Sequence, residues 1–339
     1  MPARPTIADI ARSAGVSKSA VSFALNGRPG VSAATRARVL ATAADIGWVP
    51  NAAARSLAAT TSGAIGLVLA RPARTLGIEP FFMQLIAGIE GELAAASQAL
   101  VFQVVEDHAA EVTTYRRWFA ERRVDGVILV DPHVDDDRVE PLTALGLRCV
   151  FVGIPRSATG LFGVWSDDDA SMTAVLRYLA RLGHSRVARV AGSAQHDHVA
   201  VRTEAFARSA RLLRLSPSVV GTDYSPEQGA RATRQLLAAA TPPTAIVYDN
   251  DVMALAGLAV TQEMGVSVPA EVSLVAWDDS TLCRVSYPKL TAVSRDIGAF
   301  GATAARLLLE QVQGEPPRSV ETAAGELAIR GSTAPPPND

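Results

Sequence analysis

Thr6-Ile-Ala-Asp-Ile-Ala-Arg-Ser-Ala-Gly-Val-Ser-Lys-Ser-Ala-Val-Ser-Phe-Ala-Leu-Asn26 reads as two short helices joined by a tight Ala14-Gly15-Val16 turn. Thr6 can cap the first helix, with Asp9 three residues on completing a capping-box-like pair, and Ser17 can cap the second. Ile7, Ile10, Ala11, Val21 and Leu25 have the spacing to share one small core. This pattern predicts a helix-turn-helix, whose second helix is free to enter a DNA major groove. A third helix is expected from Ala33 to Ile46, capped by Ser32 and stopped by Gly47. Asn51-Ala-Ala-Ala-Arg-Ser-Leu-Ala58 is an amphipathic stretch of two turns, too short to be helical in water without a partner. Thr60-Thr-Ser-Gly63 reads as a flexible joint.

Charge is divided along the chain. The 339 residues carry a net charge of −2, which excludes a generic polyanion binder. The first sixty residues hold seven Arg or Lys against two Asp, a balance of +5, and leave −7 for the remainder. A basic head on an acidic body directs nucleic acid to the head. The two cysteines, Cys149 and Cys283, suit a reducing compartment and exclude a disulfide-stapled scaffold. The N-terminus shows no apolar export segment, and no apolar run approaches the ~20 residues that span a bilayer. A cytoplasmic location is therefore expected.

From Ala64 the chain alternates short apolar runs with helical segments. Strands are expected at 65–70, 100–105, 124–130, 149–152, 186–191, 245–248 and 272–276. Helices are expected at 82–96, 111–123, 170–182, 201–213, 226–239, 252–264 and 297–313. This βαβ rhythm predicts parallel sheets covered by helices, and its length predicts two lobes. Ligands of such sheets bind outside the carboxyl ends of the strands, here in the cleft between lobes. The fold expected is an all-α helix-turn-helix head plus an α/β body of two lobes with parallel sheets. Its parts are the helix-turn-helix DNA-binding head (1–50), a short helix and linker (51–63), a two-lobe ligand-binding body (64–334) and a disordered tail (335–339).

Thr6-Ile-Ala-Asp-Ile-Ala11, Ala14-Gly-Val-Ser17, Val21-Ser22, Leu25-Asn26, Val31-Ser32, Thr35-Arg36 and Gly47-Trp-Val-Pro-Asn51 together resemble the LacI/GalR family of bacterial transcription regulators. Ala54 and Leu57 extend the match. The body adds Val124-Asp-Gly-Val-Ile-Leu129, Leu182-Gly-His184, Asn250-Asp251, Val268-Pro269, Asp278-Asp279 and Leu327-Ala-Ile-Arg-Gly-Ser332. The resemblance implies a homodimer on a pseudo-palindromic DNA operator, with a periplasmic-binding-protein-like body holding a small-molecule effector.

In the head, Lys18 and Ser19 open the recognition helix, where Lys18 can reach guanine or a phosphate. The family often carries Thr and Arg where this chain has Ala20 and Phe23, a departure that leaves the operator sequence open but not the DNA-binding function. Phe23 can touch a thymine methyl or pack on the neighbouring helix. Thr6, Ser17, Asn26, Ser32 and Thr35 fit phosphate contacts, or local capping alone. By resemblance, Asn51 and Ala54 lie at the DNA and Leu57 wedges into the minor groove, the alternative being a leucine that covers the body. In the body, Arg202, Tyr224, Asn250 and Asp278 stand at family effector positions, and Phe81 can add an apolar wall from the first lobe. The alternatives are an interlobe ion pair for Arg202 and Asp278 and core packing for Tyr224 and Phe81.

A sugar or sugar derivative is the leading effector, although Gly153 replaces an acidic residue that some sugar-responsive relatives carry. A purine-like or other metabolite, acting on a corepressor-dependent repressor or an activator, is the alternative. Asp135-Asp-Asp137 could hold a cation but reads as a solvated loop or helix start, and Asp167-Asp-Asp169 reads as a helix cap. His196-Asp-His198 resembles a metal pair without a third ligand, so it reads as the loop leading to Arg202. His184 reads as closing a helix end. No metal and no cofactor are expected. The chain carries no Gly-x-Gly-x-x-Gly, Walker A, His-Glu-x-x-His or Gly-x-Ser-x-Gly run, so an enzyme is not the expectation.

Overall fold

A computed structural model of the chain describes residues 5–48, 61–71, 76–153 and 161–337. It divides into two compact units, Met1–Thr61 and Ser62–Asp339. In the first unit, Thr6 and Asp9 form a full capping box at the start of α1 (Ile7–Ala14). Gly15, at φ 64°, ends that helix in the left-handed region that glycine adopts without strain. Ser17 accepts from Ala20 N to cap α2 (Lys18–Leu25), and Ser32 accepts from Thr35 N to cap α3 (Ala33–Asp45). Ile10, Ala11, Ala14, Val21, Ala24, Val39 and Ala43 make the core, with Leu25 and Trp48 packed against it. Ile7, expected inside, is 37% exposed. Ile10, Ala11 and Ala14 already fill this small core, and Ile7, on the first turn, is left at its edge. The segment containing Asn51, Ala54 and Leu57 lies outside the described residues.

The second unit is built on two six-stranded sheets. Lobe one holds β1 (Ala64–Ala70), β2 (Ala99–Val105), β3 (Gly126–Leu129), β4 (Cys149–Val152), β5 (Gly163–Ser166) and β11 (Val320–Thr322). Their order is β11-β5-β4-β3-β1-β2, all parallel. Lobe two holds β6 (Arg186–Ala191), β7 (Ser216–Gly221), β8 (Ala245–Tyr248), β9 (Ser273–Trp277), β10 (Thr291–Ser294) and β12 (Glu326–Ala328). Their order is β12-β10-β9-β8-β6-β7, parallel except for β12.

Both faces of each sheet are covered, as parallel sheets require. In lobe one, α4 (Pro80–Ala95) and α12 (Ile297–Val312) bury Leu85, Ile89, Ala304 and Leu308 on one face. On the other, α5 (His108–Ala120) and α6 (Val139–Leu145) bury Tyr115, Trp118 and Leu142. In lobe two, α7 (Asp168–Leu182) and α8 (Asp197–Leu212) bury Met172, Leu176, Ala205 and Phe206. Its opposite face carries α9 (Pro226–Leu237) and α10 (Asp251–Glu263), which bury Ala232, Leu236, Met253 and Leu258. The short α11 (Thr281–Val285) follows β9. The chain passes between lobes three times, at β5–α7, β10–α12 and β11–β12.

Seven elements went unread in the sequence: β5, β7, β10, β11, β12, α6 and α11. β7 is a sheet edge whose residues are mostly exposed and include Pro217, so it lacks an apolar signature. β11 and β12 are three residues each. The joint at Ser62-Gly63 is held, since both backbone N–H groups donate to the Asp125 carboxylate at 2.6 and 2.8 Å. The helix expected to begin at Val201 begins at Asp197. This puts His198 and Arg202 one turn apart on the same element, where a loop had been expected.

Helices α4 and α12 meet backbone to backbone. A Cβ on Gly88 would lie 1.9 Å from the Gly298 carbonyl oxygen, whereas one on Gly91 would meet nothing within 4 Å. Gly88→Ala should therefore force the helices apart and destabilise by about 1–3 kcal/mol. Gly91→Ala should be neutral or stabilising by up to about 1 kcal/mol. Urea unfolding of the two variants checks the contrast.

Candidate functional site

The carboxyl ends of the two sheets face a shared cavity of about 500 Å³. Arg71, Asp131 and Gly153 follow β1, β3 and β4, while Asp249, Asn250 and Asp278 follow β8 and β9. The first crossing segment adds Ser166 and Asp168. Phe81, Phe82, Trp165, Tyr224 and Phe300 supply aromatic wall. Three of these residues, Asp131, Tyr224 and Asp278, hold positive φ (50°, 69° and 63°). Such backbone costs on the order of 1–3 kcal/mol for each non-glycine residue and collects at binding sites.

Phe81, Arg202, Tyr224, Asn250 and Asp278 all stand on this wall. Arg202, on α8, donates through Nε to Asp168 Oδ2 at 2.7 Å and through Nη1 to the Asp249 carbonyl at 3.3 Å. Its guanidinium sits 4.0 Å over the Trp277 ring. Burial disfavours its charge, but Asp168 and Asp249 outweigh that and raise its pKa. Asp278 accepts from Arg295 Nε at 3.0 Å. The alternative of an ion pair between Arg202 and Asp278 does not hold, since each pairs with another residue. Asn250 Oδ1 accepts from Met253 N and caps α10, while its amide nitrogen donates to Glu79 Oε1 and to the Tyr224 carbonyl, both at 3.3 Å.

Several wall residues escaped the sequence reading. Arg71 donates twice to Asp131 Oδ2, at 3.0 and 2.8 Å. Burial works against the Asp131 charge, yet the Arg71 guanidinium holds that carboxyl below its ordinary range. Asp249 is fully buried and takes Arg189 in a fork at 2.8 and 2.6 Å, with Gly192 N at 2.9 Å. Arg71, Asp131 and Asp249 each follow a strand closely, and the carboxyl-end rule applied residue by residue would have named them. Arg295 follows β10, which the sequence did not disclose, and Glu79 carries no motif.

Four of the five histidines form a ladder across the lobe contact. His108 and His133 stack at 3.7 Å, His133 meets His196 edge-on at 5.3 Å, and His196 stacks on His198 at 5.4 Å. His198 Nε2 lies 2.6 Å from the Tyr224 hydroxyl. Backbone bonds lock the same contact, from Val134 N to the Gln195 carbonyl at 3.0 Å and from Asp197 N to the Pro132 carbonyl at 2.8 Å. Burial pushes His196 down to about 4 and His198 well below its usual value. The remaining histidine, His184, lies between Thr244, Ser273 and the Ala334 carbonyl. Asp136, expected to be solvated, instead has a buried side chain spent on Arg138 and His133 N.

In the first unit, Lys18 and Ser19 are exposed on the opening turn of α2. Thr6, Ser17, Asn26 and Ser32 are exposed as well, and Thr35 is half-buried. The Asn26 amide donates to the Ser22 carbonyl at 2.9 Å, and Thr35 Oγ1 lies 2.9 Å from Ser32 Oγ. Phe23 is 37% exposed, its ring against Gly30 in the loop before α3.

This head matches the lacI family of bacterial regulatory proteins over residues 6–51, and the body matches a periplasmic binding protein-like domain over residues 176–333. The HTH-type transcriptional regulator MalR of Streptomyces coelicolor is 33% identical over 347 residues, covering 98% of each chain. The chain belongs to the LacI family. As a LacI-family protein it is a helix-turn-helix transcription regulator with a two-lobed body. Among solved structures, the lac repressor dimer bound to operator and the anti-inducer ONPF is 26% identical with a TM-score of 0.85, covering 98% of this chain and 100% of that one. A transcriptional regulator CelR–cellobiose complex is 28% identical with a TM-score of 0.74, covering 97% and 100%. No described helix of this LacI-family chain is long and apolar enough to cross a membrane.

The histidine ladder makes the fold acid-sensitive. His196 titrates near 4 when folded and near 6.5 when unfolded, so the unfolded chain binds more protons between those values and stability falls as pH drops through that window. His196→Asn should lose less stability than the wild type between pH 7 and pH 5. Chemical unfolding at both pH values checks the difference.

Proposed function

We propose that two copies of this chain hold a pseudo-palindromic operator and release it when a sugar or sugar derivative enters the cavity between the lobes. The cavity's chemistry carries this reading. Guanidinium–carboxylate pairs offer donors and acceptors to vicinal hydroxyls, and Trp165 and Phe81 offer apolar faces to a sugar ring. A relative of similar fold is solved with cellobiose. Phe81, Arg202, Tyr224 and Asp278 are the proposed contacts. Asn250 acts through the groups it holds, because its amide is already engaged. Since both lobes contribute wall, a ligand there biases their relative angle and so the spacing of the two heads.

On the DNA side, Lys18, Ser19 and Phe23 face base edges. Thr6, Ser17, Asn26, Ser32 and Thr35 meet phosphates, and Asn51, Ala54 and Leu57 reach the minor groove. The protein acts in the cytoplasm on its own genome. Genomic footprinting should return half-sites about one helical turn apart, roughly 10 bp. Addition of the inducing sugar should weaken binding to them. Footprints that no candidate sugar alters would overturn the effector class.

The wedge has its own test. Leu57→Ala should weaken specific operator binding by at least about tenfold, or roughly 1.4 kcal/mol, while leaving sugar affinity unchanged. Fluorescence anisotropy and calorimetry on the same preparation check both halves.

A further inference from the structure

Glu79 occupies the N-cap position of α4 and does not cap it. No side-chain bond runs from it to the helix, whose first position is Pro80. Its side chain turns to the cavity wall instead, where Oε1 accepts from Asn250 of the other lobe at 3.3 Å. The residue is 8% exposed, and Oε2 is buried with no hydrogen-bond partner among the described residues. A buried polar atom left without a hydrogen bond costs about 1–3 kcal/mol, and such an atom in a ligand cavity calls for a ligand group.

The guanidinium charges on the wall are already matched. Arg71 is spent on Asp131, Arg202 on Asp168, and Arg295 on Asp278, among the described residues. A phosphate or carboxylate entering here would break one of these pairs and bring its charge beside a carboxyl. A hydroxyl breaks nothing and supplies the missing hydrogen bond.

We propose that Glu79 is a specificity-determining residue of this cavity, bonding a hydroxyl of an uncharged, polyhydroxylated ligand and selecting against phosphorylated or carboxylated ones. This rests on the reading of the cavity as the effector site.

The protonation of Glu79 supports the assignment. Burial raises its pKa to about 7 against the opposing pull of Arg71, with Asp131 and Asp278 adding repulsion and Asn250 a stabilising bond. A ligand that fills the cavity removes more solvent and favours the neutral carboxyl, which then donates to a ligand oxygen. The competent fraction of a group titrating near 7 falls about tenfold from pH 6 to pH 8, and apparent affinity falls with it.

Calorimetry on the full chain at pH 6 and pH 8 tests this. The probes are uncharged mono- and disaccharides, cellobiose and maltose among them, each beside its phosphate ester. Expected are binding of an uncharged sugar, at least tenfold weaker binding of its ester, and a Kd about tenfold higher at pH 8. Glu79→Gln should bind with a Kd that changes less than about twofold over that range. Because it retains the histidine ladder and Asp251, the difference between the two profiles reports Glu79.

Tighter binding of an ester, an unchanged pH slope in Glu79→Gln, or no uncharged sugar bound at millimolar concentration would each overturn the proposal. If the variant fails to fold, the wild-type ester comparison and pH slope decide alone. Operator affinity is read in parallel. Operator release by an ester only would sink the proposal and leave a ligand-controlled regulator standing, whereas sugar binding without operator binding would do the reverse.

Discussion

The body depends on one guanidinium. Arg295 lies on the second crossing between lobes and donates to Asp278, at the end of β9 in lobe two. It also reaches Ser166 Oγ at 3.3 Å and Asp168 Oδ1 at 3.7 Å on the first crossing. Its charge lies 5.6 Å from the centre of the Phe81 ring and 5.9 Å from that of Phe300, both in lobe one. A cation so placed must be paired wherever the lobes stand, since a desolvated charge without a partner costs several kcal/mol. That requirement restricts the lobes to arrangements in which Arg295 keeps its carboxylates. Discrete arrangements, rather than continuous flexing, are what let a small molecule act as a switch.

The same constraint runs down the cavity. Asp249 is held by Arg189 and Gly192, and its carbonyl meets Arg202, which leads to Asp168 on the first crossing. Arg71 and Asp131 answer from lobe one. The histidine ladder also spans the lobe contact, its last member lying against the Tyr224 hydroxyl. The wall is therefore a connected polar network, in which moving one member re-pairs others. Asp131, Tyr224 and Asp278, all at positive φ, belong to this network.

The head was the most legible part of the sequence, because caps are local. Thr6, Ser17 and Ser32 act on backbone within three residues, so a string of letters suffices to place them. The central strands of both sheets were nearly as plain, being short apolar runs buried on both faces. Edge strands such as β7 and β12 were not, since they are short or solvated and owe their conformation to a neighbour distant in sequence. Among cavity residues, Arg202 and Asp278 were named, but their partners were not. Pairing depends on which segments cross between lobes, and the crossing after β10 leaves no periodic mark. Glu79 was invisible for a related reason: an acidic residue before Pro80 reads as an ordinary helix start, and only its burial beside Asn250 sets it apart.

On the proposed reading, the cavity and the DNA-reading head share one equilibrium, so a ligand in the body and an operator on the head change each other's affinity. Linkage makes this quantitative, because the two must change each other's affinity by the same factor. The direct measurement is the affinity of the inducing sugar for the free protein and for the protein saturated with operator, set beside operator affinity with and without sugar. The account predicts weaker sugar binding on the operator complex, by the same factor in both directions. Identical sugar affinity with and without operator would contradict it.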